Sequence, residues 1–589
     1  MRRTRVTALL AVACLAVVAA GCGSSDNKST SSGTAPTSAP ASAKKGGTLT
    51  MLASGDVDNN LDPGYSYYQY DFILDNDLHR TLFRYKPNDT TKPSPDLADG
   101  DAQISNNGKT ITIKIKKGVK FSPPVNREVT AADVKYAMER DFLPQVGNGY
   151  ANSYWPDIVG AKDMASGKAK EIKGITTPDK YTLKLELTRS VAPIVIGAMA
   201  LPGTAPVPKE YAQKFDEGKK SEYGPHLVTT GPYMIPNDAN GKITGYTPGR
   251  RITLVRNPNW DPKTDWRPAY LDKIVVEEGS DPTVGNRKVL DGQSVVANPV
   301  DLAPTPDFLK ANLNGSKKDQ LVPSPYTGRT RWVALNTRKK PFDNINVRKA
   351  VNAALDRNAM LLGFGGKAVG QVATHIIPPG VSGFEEAGGA AGTGVDYLKN
   401  PSGDPQLAAS YLKKAGFSNG KYNGPKITMV ADNAGNQKAA AQVVLDSLQK
   451  IGFQVNFRTT TRDTMFSKFC AVPSNEPEIC PSVGWLKDFA DPQTMVDPVF
   501  NGKNIVPNGN VNWSLLNDKA LNAEMDKAET IVGDQARAKA WADIDKKVIA
   551  TAAAIPWMWD KPYLVRASNV VPVLNKANAA WDLSSMSLK

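Results

Sequence analysis

Apolar and polar residues alternate from Thr110 to Lys116 (Thr-Ile-Thr-Ile-Lys-Ile-Lys) and again from Thr182 to Leu187, which predicts two strands, each with one wet face. Between them, Ala131 to Arg140 reads as a helix capped by Thr130, with Asp133 at its third position. Val347, Ala350, Val351, Ala354 and Leu355 fall at the spacing of one helix face. Ile427 to Val430 reads as a strand, Gln437 to Ile451 as a helix ended by Gly452, and Phe453 to Phe457 as a second strand. A strand, helix and strand in that order predict a parallel pair with a right-handed crossover. The body is therefore mixed α/β, with no repeat at solenoid periods.

The N-terminus has a different pattern. Arg2, Arg3 and Arg5 precede an apolar stretch from Val6 to Ala20, and the small residues Ala19-Ala20-Gly21 lead to Cys22. That order predicts a cleaved signal over residues 1–21, since the stretch is short for a bilayer span. Small residues before Cys resemble a bacterial lipobox, with Cys22 as the acylated residue, although Ala19 stands where a branched apolar residue is usual. The competing reading is an ordinary secretory signal with an incidental cysteine. Gly23 to Lys45 contains no aromatic residue and no Val, Ile, Leu or Met, so it cannot build a core. As a coil this tether would reach roughly 25–30 Å.

The body from Gly46 to Lys589 is long enough for two or three domains. Net charge is +14, with Lys and Arg scattered along the chain. A nucleic-acid surface would want a basic stripe with interleaved aromatics, and none is present. Cys470 and Cys480 flank an irregular loop, and in an oxidising exterior they are expected to form a disulfide. A metal site is the alternative, but two thiols without a neighbouring His make a poor ligand set. Enzyme signatures fail in turn. His79, His226 and His375 form no zincin motif and read as surface or hydrogen-bonded residues. No Gly-x-Ser-x-Gly occurs, and Gly108-Lys109-Thr110 leads into a strand where a phosphate loop would open a helix. No catalytic residue, metal or cofactor is expected.

Five motifs in one order carry a resemblance. They are Leu61-Asp62-Pro63; Lys117-Gly118-Val119-Lys120-Phe121 with Thr130-Ala131-Ala132-Asp133-Val134; Thr230-Gly231-Pro232-Tyr233 with Arg256-Asn257-Pro258-Asn259-Trp260; Leu335-Asn336-Thr337 through Asp356-Arg357; and Gly484-Trp485-Leu486-Lys487-Asp488-Phe489-Ala490-Asp491-Pro492. Over about 500 residues this resembles the extracellular solute-binding proteins of family 5, the oligopeptide and dipeptide receptors of ABC importers. Pro123-Pro124 depart from the turn usual there. The resemblance implies a periplasmic-binding-protein-like α/β fold, class II and cluster C in type, with two hinged lobes and an extra third domain. Lobe I would comprise 46–85, 200–325 and 558–589, the extra domain 86–199, and lobe II 326–557, with hinges near 320–330 and 553–560. It also implies a monomer on the outer face of the bacterial membrane that passes its cargo to permease subunits.

The same resemblance assigns Asp488 to the ammonium of a peptide ligand, with Trp485 as an apolar wall. The alternative makes Asp488 a helix or loop cap. Asp491 before Pro492 reads as a turn former, Arg256 and Asn257 as strand-end hydrogen bonders, and Arg348 as a surface or interlobe ion pair. Tyr65, Tyr67, Tyr68 and Tyr70 either stack on ligand or pack, and the residues do not choose. The expected function is capture of di- to oligopeptides by lobe closure. A sugar, a nickel chelate or haem, and more remotely a cell-surface hydrolase, are the alternatives.

Overall fold

The computed structural model describes residues 37–40, 42–57 and 61–589. The predicted signal, Cys22 and most of the tether lie outside the described residues.

Thr48–Leu52 opens a mixed sheet, parallel to both Lys273–Glu277 and Val295–Ala297, with Arg251–Arg256 and then Tyr233–Met234 continuing antiparallel beyond Lys273–Glu277. Leu49 and Met51 enter the main core, whereas Leu52 packs with Val289, Leu302 and Phe308 in a second cluster. Both faces are thus covered, as parallel pairing requires. The conformation at Gly231 is dictated by close approach. A Cβ there would lie 2.5 Å from the Asp77 carbonyl oxygen, and Asn257 Nδ2 donates to the Gly231 carbonyl at 3.0 Å. Arg256 closes its strand on the Tyr270 carbonyl at 2.9 Å.

The alternating segments form a four-stranded antiparallel sheet ordered Gln103–Ser105, Thr110–Lys114, Thr182–Glu186, Ile175–Asp179. Ile111 faces Leu185 and Ile113 faces Leu183, all four buried, so the predicted dry face is present. The first strand stops at Lys114, and Ile115 makes a single bridge to Ala98. The capped helix is Ala131–Arg140, where the Thr130 N–H donates to Asp133 Oδ2 at 2.8 Å. At its far end Arg140 holds Asp62 and Asp216. Buried charges of this kind persist because each is paired and hydrogen-bonded.

A third sheet runs Gly370–Gln371, Ala554–Asp560, Arg329–Leu335, Ile479–Leu486, Ile427–Asp432, Val455–Thr460. Ile427–Asp432 and Val455–Thr460 are parallel around the helix Gly435–Lys450, as the sequence predicts, though the second strand starts two residues later and runs longer. Gly452 ends the crossover at φ +99°, where a Cβ would sit 2.4 Å from the Tyr422 carbonyl oxygen. The amphipathic helix is Ile345–Ala354. Its Arg348 corrects the sequence expectation. The guanidinium is buried and donates to the carbonyls of Phe342, Asp343 and Thr551, so it makes backbone hydrogen bonds and no ion pair among the described residues. A disulfide joins Cys470 to Cys480.

Two segments connect the first and third sheets side by side. Leu321–Pro323 pairs antiparallel with Tyr563–Val565, and the Thr327 N–H donates to the Asp560 carbonyl at 3.1 Å. Each side has its own apolar core, the second one centred on Trp332, Trp541 and Trp557. No helix among the described residues is long and apolar enough to cross a membrane.

Candidate functional site

Strand direction sets the site. In the third sheet Ile427–Asp432, Val455–Thr460, Ile479–Leu486 and Ala554–Asp560 all run the same way, with Arg329–Leu335 opposed. Asp432, Thr460, Leu486 and Asp560 therefore share one edge, the carboxyl ends where open α/β sheets bind ligands.

From that edge, residues 487–490 cross to the other lobe. The Phe489 ring meets Tyr154 edge-on at 5.0 Å and lies 2.5 Å from where a Gly197 Cβ would stand. The Ala490 N–H donates to Tyr85 Oη at 2.8 Å. Phe489 and Ala490 are thus buried in the core of the first lobe.

Asp488 sits within this crossing. Tyr154 Oη donates to its Oδ2. Burial pushes the carboxyl up to about 7, and the Tyr154 hydrogen bond offsets only part of that rise. No Lys, Arg or His among the described residues pairs with it. A cavity of about 40 Å³, whose lining includes Phe72, Asp75, Thr81, Arg84, Tyr85 and Leu201, abuts the carboxylate.

Tyr67 and Tyr68 approach the same crossing. Tyr67 stacks on Tyr150 at 5.0 Å, Tyr150 stacks on Tyr154 at 6.2 Å, and Tyr68 meets Tyr67 edge-on at 5.6 Å. Tyr67 and Tyr68 remain 38% and 58% exposed, so the row has a buried end at Asp488 and an open end at Tyr68. Burial and the Asp488 charge raise the Tyr67 phenol above its ordinary range. Tyr65 and Tyr70 do not join this row: Tyr70 is buried and donates to Glu278 Oε1 at 2.9 Å, and Lys220 lies over the Tyr65 ring.

Tyr150 and Tyr154 are the residues that sequence reading missed. Their i, i+4 spacing, which puts two side chains on one helical face, was the available signal. Asn148 fixes the turn that carries them, accepting from the Tyr150 and Ala151 N–H groups at 2.8 and 2.7 Å.

Trp485 is partly exposed at the end of its strand. It alternates with Leu486, donates from Nε1 to the Thr494 carbonyl at 2.8 Å, and packs edge-on against Trp513. Asp491 forms the predicted turn, accepting from the Gln493 N–H at 2.8 Å, and also takes two hydrogen bonds from Arg537. His375 is buried between Asp545 and the Gly389 carbonyl. His79 departs from expectation. It is buried with neither ring nitrogen hydrogen-bonded, and burial drives it down to about 3, which keeps it neutral. The acidic trio Asp497, Asp526 and Glu529 is occupied by the Lys503 ammonium, at 3.4, 2.7 and 2.9 Å. Glu529 also receives Arg189 across the lobes at 2.9 Å.

The profile described as bacterial extracellular solute-binding proteins, family 5 Middle, matches residues 92–506. Di/tripeptide-binding protein 1 of Pseudomonas aeruginosa (strain UCBPP-PA14) is 25% identical over 437 residues, 72% of this chain and 73% of the relative. Heme-binding protein A of Haemophilus influenzae (strain ATCC 51907 / DSM 11121 / KW20 / Rd) is 25% identical over 491 residues, 81% of each chain. The solved structure of clavulanic acid biosynthesis oligopeptide binding protein 2 is similar at a TM-score of 0.80 and 26% identity, covering 94% of this chain and 99% of that one. The fold is that of a class II periplasmic binding protein. With the profile matched over most of its length, this chain belongs to the bacterial extracellular solute-binding proteins of family 5.

Proposed function

We propose that this protein captures short peptides outside the cell and delivers them to the permease of an ABC importer, tethered to the membrane through an acylated Cys22. One observation carries the peptide reading. Asp488 is a carboxylate enclosed between the lobes, with the Tyr154 hydroxyl for company and no paired cation among the described residues. Leaving such a group uncompensated is costly, and a ligand ammonium would offset that cost with a charge-assisted hydrogen bond. The small cavity beside it offers space next to the carboxylate for the ligand's head group. The body of the ligand then belongs along Tyr67 and Tyr68, the open end of the aromatic row. Relatives named for di/tripeptides and oligopeptides support this reading, whereas the haem-binding relative shows why identity alone would not select it.

Capture breaks no bond. Contacts to both lobes shift the population toward the closed form, which the permease would recognise. Lobe I would comprise 46–85, 200–325 and 558–589, the third domain 86–199 and lobe II 326–557. The test is to incubate the purified protein with a mixed peptide library and read it by mass spectrometry. Intact peptides, retained by the wild type and lost from Asp488→Ala, are the expected result. Shortened peptides would point to a hydrolase instead. Equal retention by the variant would remove Asp488 from the site.

A further inference from the structure

The last residues of the tether lie against the first lobe. Thr37 Oγ1 donates to Asn88 Oδ1 at 2.7 Å, Ala39 packs against the main core, and the Ala43 N–H donates to the Pro40 carbonyl at 2.9 Å. Beside that turn lies a groove of about 470 Å³, between the root of the tether and the C-terminal strand. Its lining includes apolar Pro40, Ala43, Pro572 and Leu588 together with basic Lys44, Arg566 and Lys589. A Cβ on Gly47 would stand 2.8 Å from Leu588 Cδ1, and the next residue, Thr48, pairs with Lys273 where both strands begin. The groove therefore sits at the amino edge of the first sheet. Open α/β sheets bind their ligands at the opposite, carboxyl edge.

Positive charge at this edge exceeds the carboxylates that could answer it. Lys44, Lys45, Lys273 and Lys589 are exposed, and none makes an ion pair among the described residues. Arg566 turns its guanidinium to the backbone, donating to the carbonyls of Asp319, Ala567 and Val570 at 2.8, 3.1 and 3.1 Å. Two acids share the edge. Asp272 is held by Arg256 at 3.3 Å and by the Gly47 N–H at 3.0 Å, and Asp319 acts on Arg566 without a direct ion pair. A groove with apolar lining among unpaired ammonium groups matches an anionic phospholipid. The phosphate meets the lysines, and the glycerol and upper acyl carbons meet the apolar side chains. The tether puts that partner within reach. Thr37 follows Cys22 by 15 positions, a length whose coil reach is roughly 20 Å.

We propose that this groove and the lysines around it dock the body on a bilayer of anionic phospholipid, leaving the ligand edge of the sheet free. The inference rests on the tethered reading above for its setting. Its test uses no acyl chain, so the two can fail separately.

The probe is the chain from Gly23 to Lys589, which lacks Cys22 and keeps every residue of the three apolar cores. It is sedimented with vesicles of equal parts phosphatidylcholine and phosphatidylglycerol, and with vesicles of phosphatidylcholine alone. The anionic vesicles should bind at least about ten-fold more tightly, since one Lys near an anionic surface is worth roughly five-fold. Added salt should weaken that binding. The triple variant Lys44→Gln, Lys45→Gln, Lys589→Gln should lose at least about ten-fold on the anionic vesicles. A second triple, Lys399→Gln, Lys413→Gln, Lys450→Gln, has the same net charge and changes exposed positions of the second lobe. It should bind as wild type does. Equal loss in the two triples assigns binding to net charge alone and overturns the face, and so does equal affinity of wild type for both lipids. A dimer in sedimentation velocity that only the first triple loses makes the groove a self-association surface and also overturns the lipid assignment. Acylation of Cys22 is read apart from this, by the mass of the N-terminal peptide of the exported protein, and its absence would leave the vesicle result standing.

Discussion

Asp488 has a hydroxyl partner and no counter-charge among the described residues, so its ionisation opposes the folded, unliganded state and favours the liganded one. Its folded-state carboxyl is raised to about 7, above the ordinary value of about 4. The sign follows from that order. A ligand ammonium pairs with the ionised form, so affinity peaks between about pH 7 and 8, falling about ten-fold per unit as pH drops below about 7 and falling again above about 8, where the peptide's amine loses its own proton. Asp488→Asn should flatten that profile and weaken binding throughout, measured by calorimetry from pH 5 to pH 8.5. The same variant without ligand should melt above wild type at pH 8, with the gap closing toward pH 4. A flat wild-type profile would contradict the assignment. Asp488 was legible in the sequence only through resemblance. Tyr154 was not, because it meets Asp488 across 334 residues and no local pattern encodes that contact.

Elements written in local chemistry were read well. The Thr130 and Asp133 capping pair fixed the helix Ala131–Arg140 to the residue, and strict alternation gave both central strands of the four-stranded sheet. Arg348 was misread because a charged side chain on a helix says nothing about the carbonyls of Phe342 and Thr551 that fold onto it. The helix Ala192–Ala198 provides an element-scale test, since Gly197 clears space for the Phe489 ring. Gly197→Val removes that space and pushes the Phe489 ring out of its seat. Ligand affinity should fall at least about ten-fold, and small-angle scattering with saturating ligand should show a larger radius than wild type. The loop closed by Cys470 and Cys480 spans ten positions. Replacing both by Ser should cost about 2–3 kcal/mol in denaturant unfolding, the loop-closure scale for so short a ring.

At the scale of the molecule, the lobes are joined by polar contacts as well as by the crossing segments. Arg189 pairs with Asp157 at 2.5 Å and reaches across to Glu529 at 2.9 Å. Arg189→Ala should enlarge the radius of the unliganded protein in scattering and lower its melting temperature, since Asp157 and Glu529 are only 12% and 6% exposed and each loses a charged partner. The mixed α/β character and the parallel crossover were visible in the sequence, but the way the first lobe is closed was not. Its core is completed by residues far down the chain: Trp581 Nε1 donates to the Ala297 carbonyl at 2.7 Å, Asn575 Nδ2 donates to the Tyr85 carbonyl at 2.7 Å, and Tyr563–Val565 zips onto Leu321–Pro323. The strands from Arg329 to Asp560, by contrast, are contiguous. A polypeptide emerging N-terminus first could therefore assemble its later half while the earlier half still waits for its final strands. Any export machinery would be handling a molecule whose first-made portion is the last to become native.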